Sequence, residues 1–139
     1  HDLVLRMKRR FPELTLCING GITSLAKARA FLDAGLDGVM LGRAAYHDPA
    51  SVLIGADALW GEDFAPDAFA VVDAMRPYIA GHLAGGGRLH QITRHMLGLF
   101  TGKPGARGWR RVLSENAGRD GAGLDVLDLA VDQVLATAA

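Results

Sequence analysis

Cysteine is almost absent from this chain, which has a single one, Cys17, among 139 residues. One cysteine excludes an intrachain disulfide framework and any CxxC-type zinc site, and no regularly spaced cluster of metal ligands is present. Because Cys17 stands inside an apolar run, we expect a buried, unreactive side chain rather than a nucleophile. This cysteine usage fits a reducing compartment, so a cytoplasmic location is expected.

Long apolar stretches are also missing, and the chain shows no signal, transit or membrane segment, no internal repeat and no long low-complexity tract. Half of the residues are hydrophobic and 22% are charged, a balance that suits one ordinary globular core. These absences predict no membrane partner.

Net charge is zero as well, with 15 basic and 15 acidic residues, but the two signs are segregated. The segment 76–119 has eight basic residues and one acidic residue. In the segments 44–75 and 120–139, every charged residue is acidic. A strongly basic stretch is a candidate surface for a polyanion. A solvated face balanced by neighbouring carboxylates remains the alternative.

Glycine, in contrast, is abundant, and it marks two turns that each follow a short apolar run. The runs 14–18 and 38–41 are separated by an amphipathic segment, which predicts a strand, a helix and a second strand. Glycines at the strand ends let backbone N–H groups approach an anion, so a phosphate fits between the turns. The predicted phosphate residues are Asn19, Gly20, Gly21, Gly42 and Arg43. Alternatively, the turns only need positive φ, and Arg43 forms an ion pair.

Around these turns the pattern predicts short elements and no catalytic residue. His47 beside Asp48 indicates a helix cap or a loop hydrogen bond rather than a catalytic pair. The first predicted helix has the apolar stripe Leu3, Val4 and Met7 and ends before Pro12. The second is capped by Thr23 or Ser24 and ends at Gly35. A loop from Ala44 to Pro49, a short helix near 51–59 and a linker at 61–66 are predicted to follow.

Four amphipathic stripes follow the linker and predict a small four-helix bundle. The stripes are Phe69 to Leu83 with Pro77 inside, Leu89 to Phe100, Trp109 to Leu113, and Leu124 to Val134 with Asp125, Asp128 and Asp132 outside. Helical spacing places Trp109 in the core and the neighbouring arginines on the outer face. Such a basic rim suits a phosphodiester backbone, and its members are Arg94, Lys103, Arg107, Arg110 and Arg111.

Three segments resemble the C-terminal portion of the tRNA-dihydrouridine synthases, the A-type subfamily in particular. They are Ile18-Asn19-Gly20-Gly21-Ile22, the run from Asp37 to Tyr46, and Thr93-Arg94-His95-Met96-Leu97-Gly98-Leu99-Phe100 with Gly105-Ala106-Arg107-Gly108-Trp109-Arg110-Arg111. The resemblance covers about residues 4 to 120.

This resemblance implies an α/β fold followed by an all-α one: the last two βα units of an FMN-binding TIM barrel in residues 1–60, then a helical tRNA-binding domain in 61–139. In that family the two turns hold the FMN phosphate, NADPH reduces the flavin, and a D-loop uridine becomes dihydrouridine. The catalytic cysteine and the first six strands would belong to sequence not contained here, since a barrel needs about 250 residues. We therefore expect a piece of a larger enzyme that is inactive alone. Residues 1–60 are expected to be disordered, rearranged or oligomerised without the rest of the barrel, whereas residues 67–139 could fold alone.

Two other classes stay open at this point. One is a different flavin- or nucleotide-binding TIM-barrel dehydrogenase, which would explain the turns but not the basic stretch. The other is a non-catalytic helical module that binds nucleic acid or protein.

Overall fold

The computed structural model describes residues 1–138 and divides the chain into two compact units between Ala65 and Pro66. The first unit contains α1 (Asp2–Arg10), β1 (Cys17–Asn19), α2 (Leu25–Asp33), β2 (Gly38–Met40), α3 (Arg43–His47), α4 (Pro49–Leu53) and a 3₁₀ turn at Ala56–Trp60. The second contains α5 (Ala68–Ala84), α6 (His90–Thr93), α7 (Ala106–Asn116) and α8 (Leu124–Ala138).

The first unit is organised around a parallel pair of strands joined by a helix. Cys17 pairs with Gly38 and Asn19 with Met40, so both strands end at the same edge of the sheet. Each strand is shorter than the apolar run that predicts it. At β1 the reason is a side chain: the N–H of Leu16 donates to the Asp37 carboxylate (2.7 Å), so a strand ladder does not use it.

The core of this unit is small and combines the sheet with both flanking helices. Ile18, Ile22 and Leu36 are buried, and Val4 and Leu5 of α1 pack against them. Two residues of the predicted α1 stripe, Leu3 and Met7, are exposed instead. The predicted end of α1 before Pro12 is confirmed, as are capping of α2 by Ser24 and the positive φ of Gly35.

The segment after β2 is helical where we expected a loop. Gly42 precedes α3 directly, and Asp48 then caps α4 by accepting from the N–H of Ser51 (3.2 Å). The short helix expected near 51–59 is divided into α4 and the 3₁₀ turn, because Gly55 adopts φ +82°. His47 is therefore the last residue of a helix and not a loop residue.

The second unit packs its helices around Trp109, which is fully buried as predicted. Phe100 contacts both Phe69 and Trp109, with ring centroids 5.0 and 4.9 Å apart. The indole N–H of Trp109 donates to the carbonyl of Met96 (3.2 Å), which satisfies its only polar group. α5 continues through Pro77, with Val72 and Ile79 buried on either side of it.

The predicted four-helix bundle is not confirmed, because the second stripe is not a long helix. α6 has four residues, and the chain then continues to residue 105 in successive turns, with backbone bonds such as Met96 N to Thr93 O and Leu99 N to Met96 O. Gly98, Gly102 and Pro104 disfavour a regular helix here. Met96, Leu99 and Phe100 are nevertheless buried.

α7 lies directly on the backbone of α8, and two glycines make this close contact possible. A Cβ at Gly105 would lie 2.3 Å from the carbonyl oxygen of Gln133, and one at Gly108 would lie 2.7 Å from the Cβ of Gln133. Gly105 also has φ +77°. The start of α7 is thus held at one place on α8.

The first prediction concerns Gly105. Gly105→Ala adds a side chain where there is no space and where φ is unfavourable, so we expect a loss of about 2–4 kcal/mol in the free energy of unfolding. The matched control is Gly81→Ala, in α5, where a Cβ meets nothing within 4 Å; it should be neutral or stabilising by up to about 1 kcal/mol. Urea denaturation measures both. Equal effects of the two substitutions would contradict the close approach of α7 to α8.

The second prediction concerns Asp37, whose carboxylate accepts hydrogen bonds from Nζ of Lys8 (2.8 Å) and from the N–H of Leu16. The hydrogen bond from Lys8 has the largest effect, and together the two bonds hold the pKa of Asp37 below its ordinary value. A depressed folded-state pKa adds stability that is complete above the unfolded-state pKa, near 3.8, and is lost as the pH falls through the folded-state value.

We therefore expect the stability advantage of the wild type over Asp37→Asn to shrink as the pH is lowered below about 4. Urea denaturation between pH 7 and pH 3 measures this difference. Glu13→Gln, at an exposed position, is the control for the loss of one carboxylate, so the comparison of the two variants isolates the contribution of the Asp37 hydrogen bonds. A constant advantage over Asp37→Asn would show that the network does not favour the charged carboxylate.

Candidate functional site

The carboxyl ends of β1 and β2 border a cavity of about 350 Å³ in the first unit. The turn after β1 forms one wall and the beginning of α3 forms another. Its lining residues are Asn19, Gly20, Gly21, Ile22, Thr23, Met40, Arg43, Ala44 and His47. Parallel pairing creates this site, because it brings the turn after β1 and the beginning of α3 to one edge of the sheet, although residues 22–42 lie between them in the chain.

The Gly20–Gly21 turn needs glycine for its backbone conformation. Gly20 has φ +112° and Gly21 has φ +63°, and a Cβ on either would meet nothing within 4 Å. The carbonyl of Gly20 accepts from Nε2 of His1 (2.5 Å), and that of Gly21 accepts from Nζ of Lys27 (3.1 Å). With its carbonyls engaged, this turn offers N–H donors and open space to a ligand.

Arg43 supplies an available positive charge in the cavity. Its side chain has no hydrogen bond or ion pair with any of residues 1–138, which argues against the alternative that it is part of a structural ion pair. The cavity lining also contains no carboxylate. A site with an arginine, free backbone donors and no negative side chain has the chemistry to bind an anion.

Four of the five predicted phosphate residues meet in this cavity. Gly42 is not among the lining residues but directly precedes α3. Sequence reasoning missed Thr23 and His47, which also line the cavity. The spacing of four residues between Arg43 and His47 would have indicated a shared face if a helix had been predicted to begin at Arg43.

The prediction for Asp48 is confirmed, whereas the prediction for Cys17 is wrong. Asp48 is a helix cap, as one interpretation held, and its carboxylate bonds to Ser51. Cys17 is exposed, so the expectation of burial was wrong. Its side chain lies over Gly38, where a Cβ would be 2.5 Å from Sγ, and a glycine provides no side chain to cover it. Cys17 does not line the cavity.

A second candidate site, in the second unit, surrounds the turn before α7. Lys103, Arg107 and Arg110 line a cavity of about 380 Å³ together with Gly102, Pro104, Gly105 and Ala106. Arg107, Arg110 and Arg111 are all exposed, while Val112 and Leu113 of the same helix are buried, which confirms the predicted two-sided pattern of α7.

The basic residues of this second site, together with the adjacent Arg111, differ from the other arginines of the unit because their side chains are unpaired. Within the described part of the chain, Lys103, Arg107, Arg110 and Arg111 have no hydrogen bond or ion pair through their side chains. Other arginines are engaged: Arg76 with Asp73 and Asp128, Arg88 with Asp120, and Arg119 with the carbonyl of Glu115. The fifth predicted residue, Arg94, donates to Nε2 of His95 (3.0 Å).

Two features are absent from residues 1–138. No group of three or more histidine, cysteine, aspartate or glutamate side chains is placed to hold a metal ion. No helix in this range combines the length and the apolar character that crossing a membrane requires.

Comparison with known proteins places the chain in a family. The family model of dihydrouridine synthases matches residues 2–136. A tRNA-dihydrouridine(20/20a) synthase of Shewanella oneidensis is 52% identical over 135 residues, which cover 96% of this chain and 40% of that protein. Proteins of the same name from Escherichia coli K12 and Yersinia pestis are 52% and 47% identical, each over 94% of this chain and 38% of their own length.

The chain therefore belongs to the dihydrouridine synthase family, as the resemblance of its three segments indicated. It spans about 40% of the length of these relatives. The family match extends across both units, which argues against the alternative of an unrelated helical module.

Proposed function

We propose that this chain is the C-terminal portion of a tRNA-dihydrouridine synthase, and that it binds the FMN phosphate with its first unit and tRNA with its second. The observation that carries the proposal is the cavity in which Asn19, Gly20, Gly21 and an unpaired Arg43 meet at the ends of two parallel strands. The relatives named above act, by their names, on tRNA.

The residues present fit a phosphate group. A phosphate monoester carries a charge of about −1.5 to −2 and three acceptor oxygens, so it needs several donors and no nearby carboxylate. The turn supplies N–H groups, Arg43 supplies a charge-assisted donor, and Thr23 supplies a hydroxyl. Gly20 and Gly21 keep the side of the turn open, because neither has a side chain that would enter the cavity.

In this proposal the chain's own residues bind and position, and the chemistry is the cofactor's. When bound, FMN reduced by NADPH would supply the hydride for the 5,6 double bond of a uridine, and an acid in another part of the enzyme would supply the proton that completes the reduction. Catalytic residues are assigned to other parts of the enzyme, since Cys17, the only cysteine here, lies outside the cavity. Asn19, Gly20, Gly21, Gly42 and Arg43 would hold the phosphate end.

The second unit offers a surface for the RNA backbone. Lys103, Arg107, Arg110 and Arg111 are cations without a protein acceptor, so their charge is available to phosphodiesters. Trp109 is buried and bonded to Met96, so this surface offers no stacking platform at that position. The chemistry favours contacts to phosphates, which position a nucleic acid without reading its sequence. Arg94 would join this surface on release from His95.

The third prediction tests the cofactor site in the full-length protein. Arg43→Ala removes a charge-assisted hydrogen bond to the phosphate, so we expect FMN affinity to fall about tenfold or more. Arg6→Ala is the matched control, because Arg6 is an exposed arginine of the same unit outside the cavity. Flavin fluorescence during reconstitution of the apoprotein measures both dissociation constants. Unchanged affinity in Arg43→Ala, or purification of the protein with no affinity for FMN, would refute the assignment.

The fourth prediction tests the RNA surface. In the full-length protein, Arg107→Ala combined with Arg110→Ala should weaken tRNA binding and reduce the slope of log Kd against log salt by about one unit per arginine. Arg88→Ala is the control, because Arg88 is already paired with Asp120 and should contribute less. Fluorescence anisotropy between 50 and 200 mM salt gives the slopes. Equal slopes in the double variant and the wild type would remove the second unit from the RNA interface.

A further inference from the structure

His47 is the one ring-bearing side chain among the residues that line the cavity at the strand ends. It is the last residue of α3, and the same short helix begins with Arg43. Residues four apart on a helix lie on the same face, so both side chains are directed to the same side of α3. Both line the cavity, whereas Tyr46, the residue before His47, does not.

The other residues that line the cavity leave a need for a further hydrogen-bond donor to a phosphate at the position of His47. The turn after β1 provides backbone N–H groups and Thr23 provides a hydroxyl, but Arg43 is the only permanently charged side chain in the lining. A phosphate with three terminal oxygens accepts more hydrogen bonds than a single arginine donates. A histidine ring carries at least one N–H donor in either protonation state, so His47 adds a donor type that the other lining side chains do not provide.

We propose that His47 is a second side-chain ligand for the phosphate held in this cavity and that it donates to a phosphate oxygen from the same helix face as Arg43. The inference rests on the proposed function, because it takes the FMN phosphate as the occupant. It adds a binding residue on α3 that neither the glycine turns nor the sequence pattern indicated. The role is in binding the cofactor and not in the chemical step.

The test compares two ligands that differ only in the phosphate. FMN and riboflavin are titrated against the full-length apoprotein by flavin fluorescence, with wild type, His47→Leu and His47→Gln. A hydrogen bond to a charged group corresponds to about a tenfold change in affinity. We expect His47→Leu to weaken FMN about tenfold and riboflavin less than twofold. His47→Gln keeps an N–H donor and should lose less FMN affinity than His47→Leu.

Because His47 is exposed at the end of a short helix, both variants should fold, and thermal melting verifies this. Equal weakening of both flavins, no weakening of FMN, or equal FMN losses in the two variants would each overturn the inference. Arg43→Ala, measured alongside, distinguishes a failure of the His47 assignment from a failure of the phosphate site. If Arg43→Ala loses FMN selectively and His47→Leu does not, only the role of His47 fails. If neither does, the phosphate site itself fails.

Discussion

The parallel pairing of β1 with β2 is the constraint on which the candidate cofactor site depends. With Asn19 opposite Met40, the Gly20–Gly21 turn and the start of α3 reach the same edge of the sheet, although residues 22–42 lie between them in the chain. A shift of one residue in register would turn the side chains of one strand to the other face and separate these groups. The hydrogen bonds that Asp37 accepts from Lys8 and Leu16 connect the residues directly before these two strands.

An analogous constraint operates in the second unit, where backbone proximity replaces strand pairing. Gly105 and Gly108 let α7 rest on the backbone of α8 near Gln133, and Trp109 fills the core beside Phe100. With the buried side of α7 determined in this way, Arg107, Arg110 and Arg111 face solvent. The basic surface is therefore a consequence of packing, and its unpaired cations leave charge that the protein itself does not neutralise.

Much of this could be predicted from the sequence, because the signals are local. Glycines after apolar runs indicate turns, and helical spacing separates Trp109 from its arginine neighbours. The predictions are wrong where a contact between residues distant in the chain determines the length of an element or the burial of a side chain. The Asp37 carboxylate takes the N–H that a longer β1 would use, Gly38 leaves Cys17 uncovered, and Phe100 and Trp109 bury a segment of turns that has a helical pattern. His47 was missed because the start of α3 at Arg43 was not recognised.

The most direct test of the central claim is a crystal structure of the full-length protein with FMN bound. We expect the FMN phosphate to lie in the cavity between the Gly20–Gly21 turn and α3, within hydrogen-bonding distance of the Arg43 guanidinium. A phosphate bound by other strands, with this cavity filled by side chains from elsewhere in the protein, would contradict it.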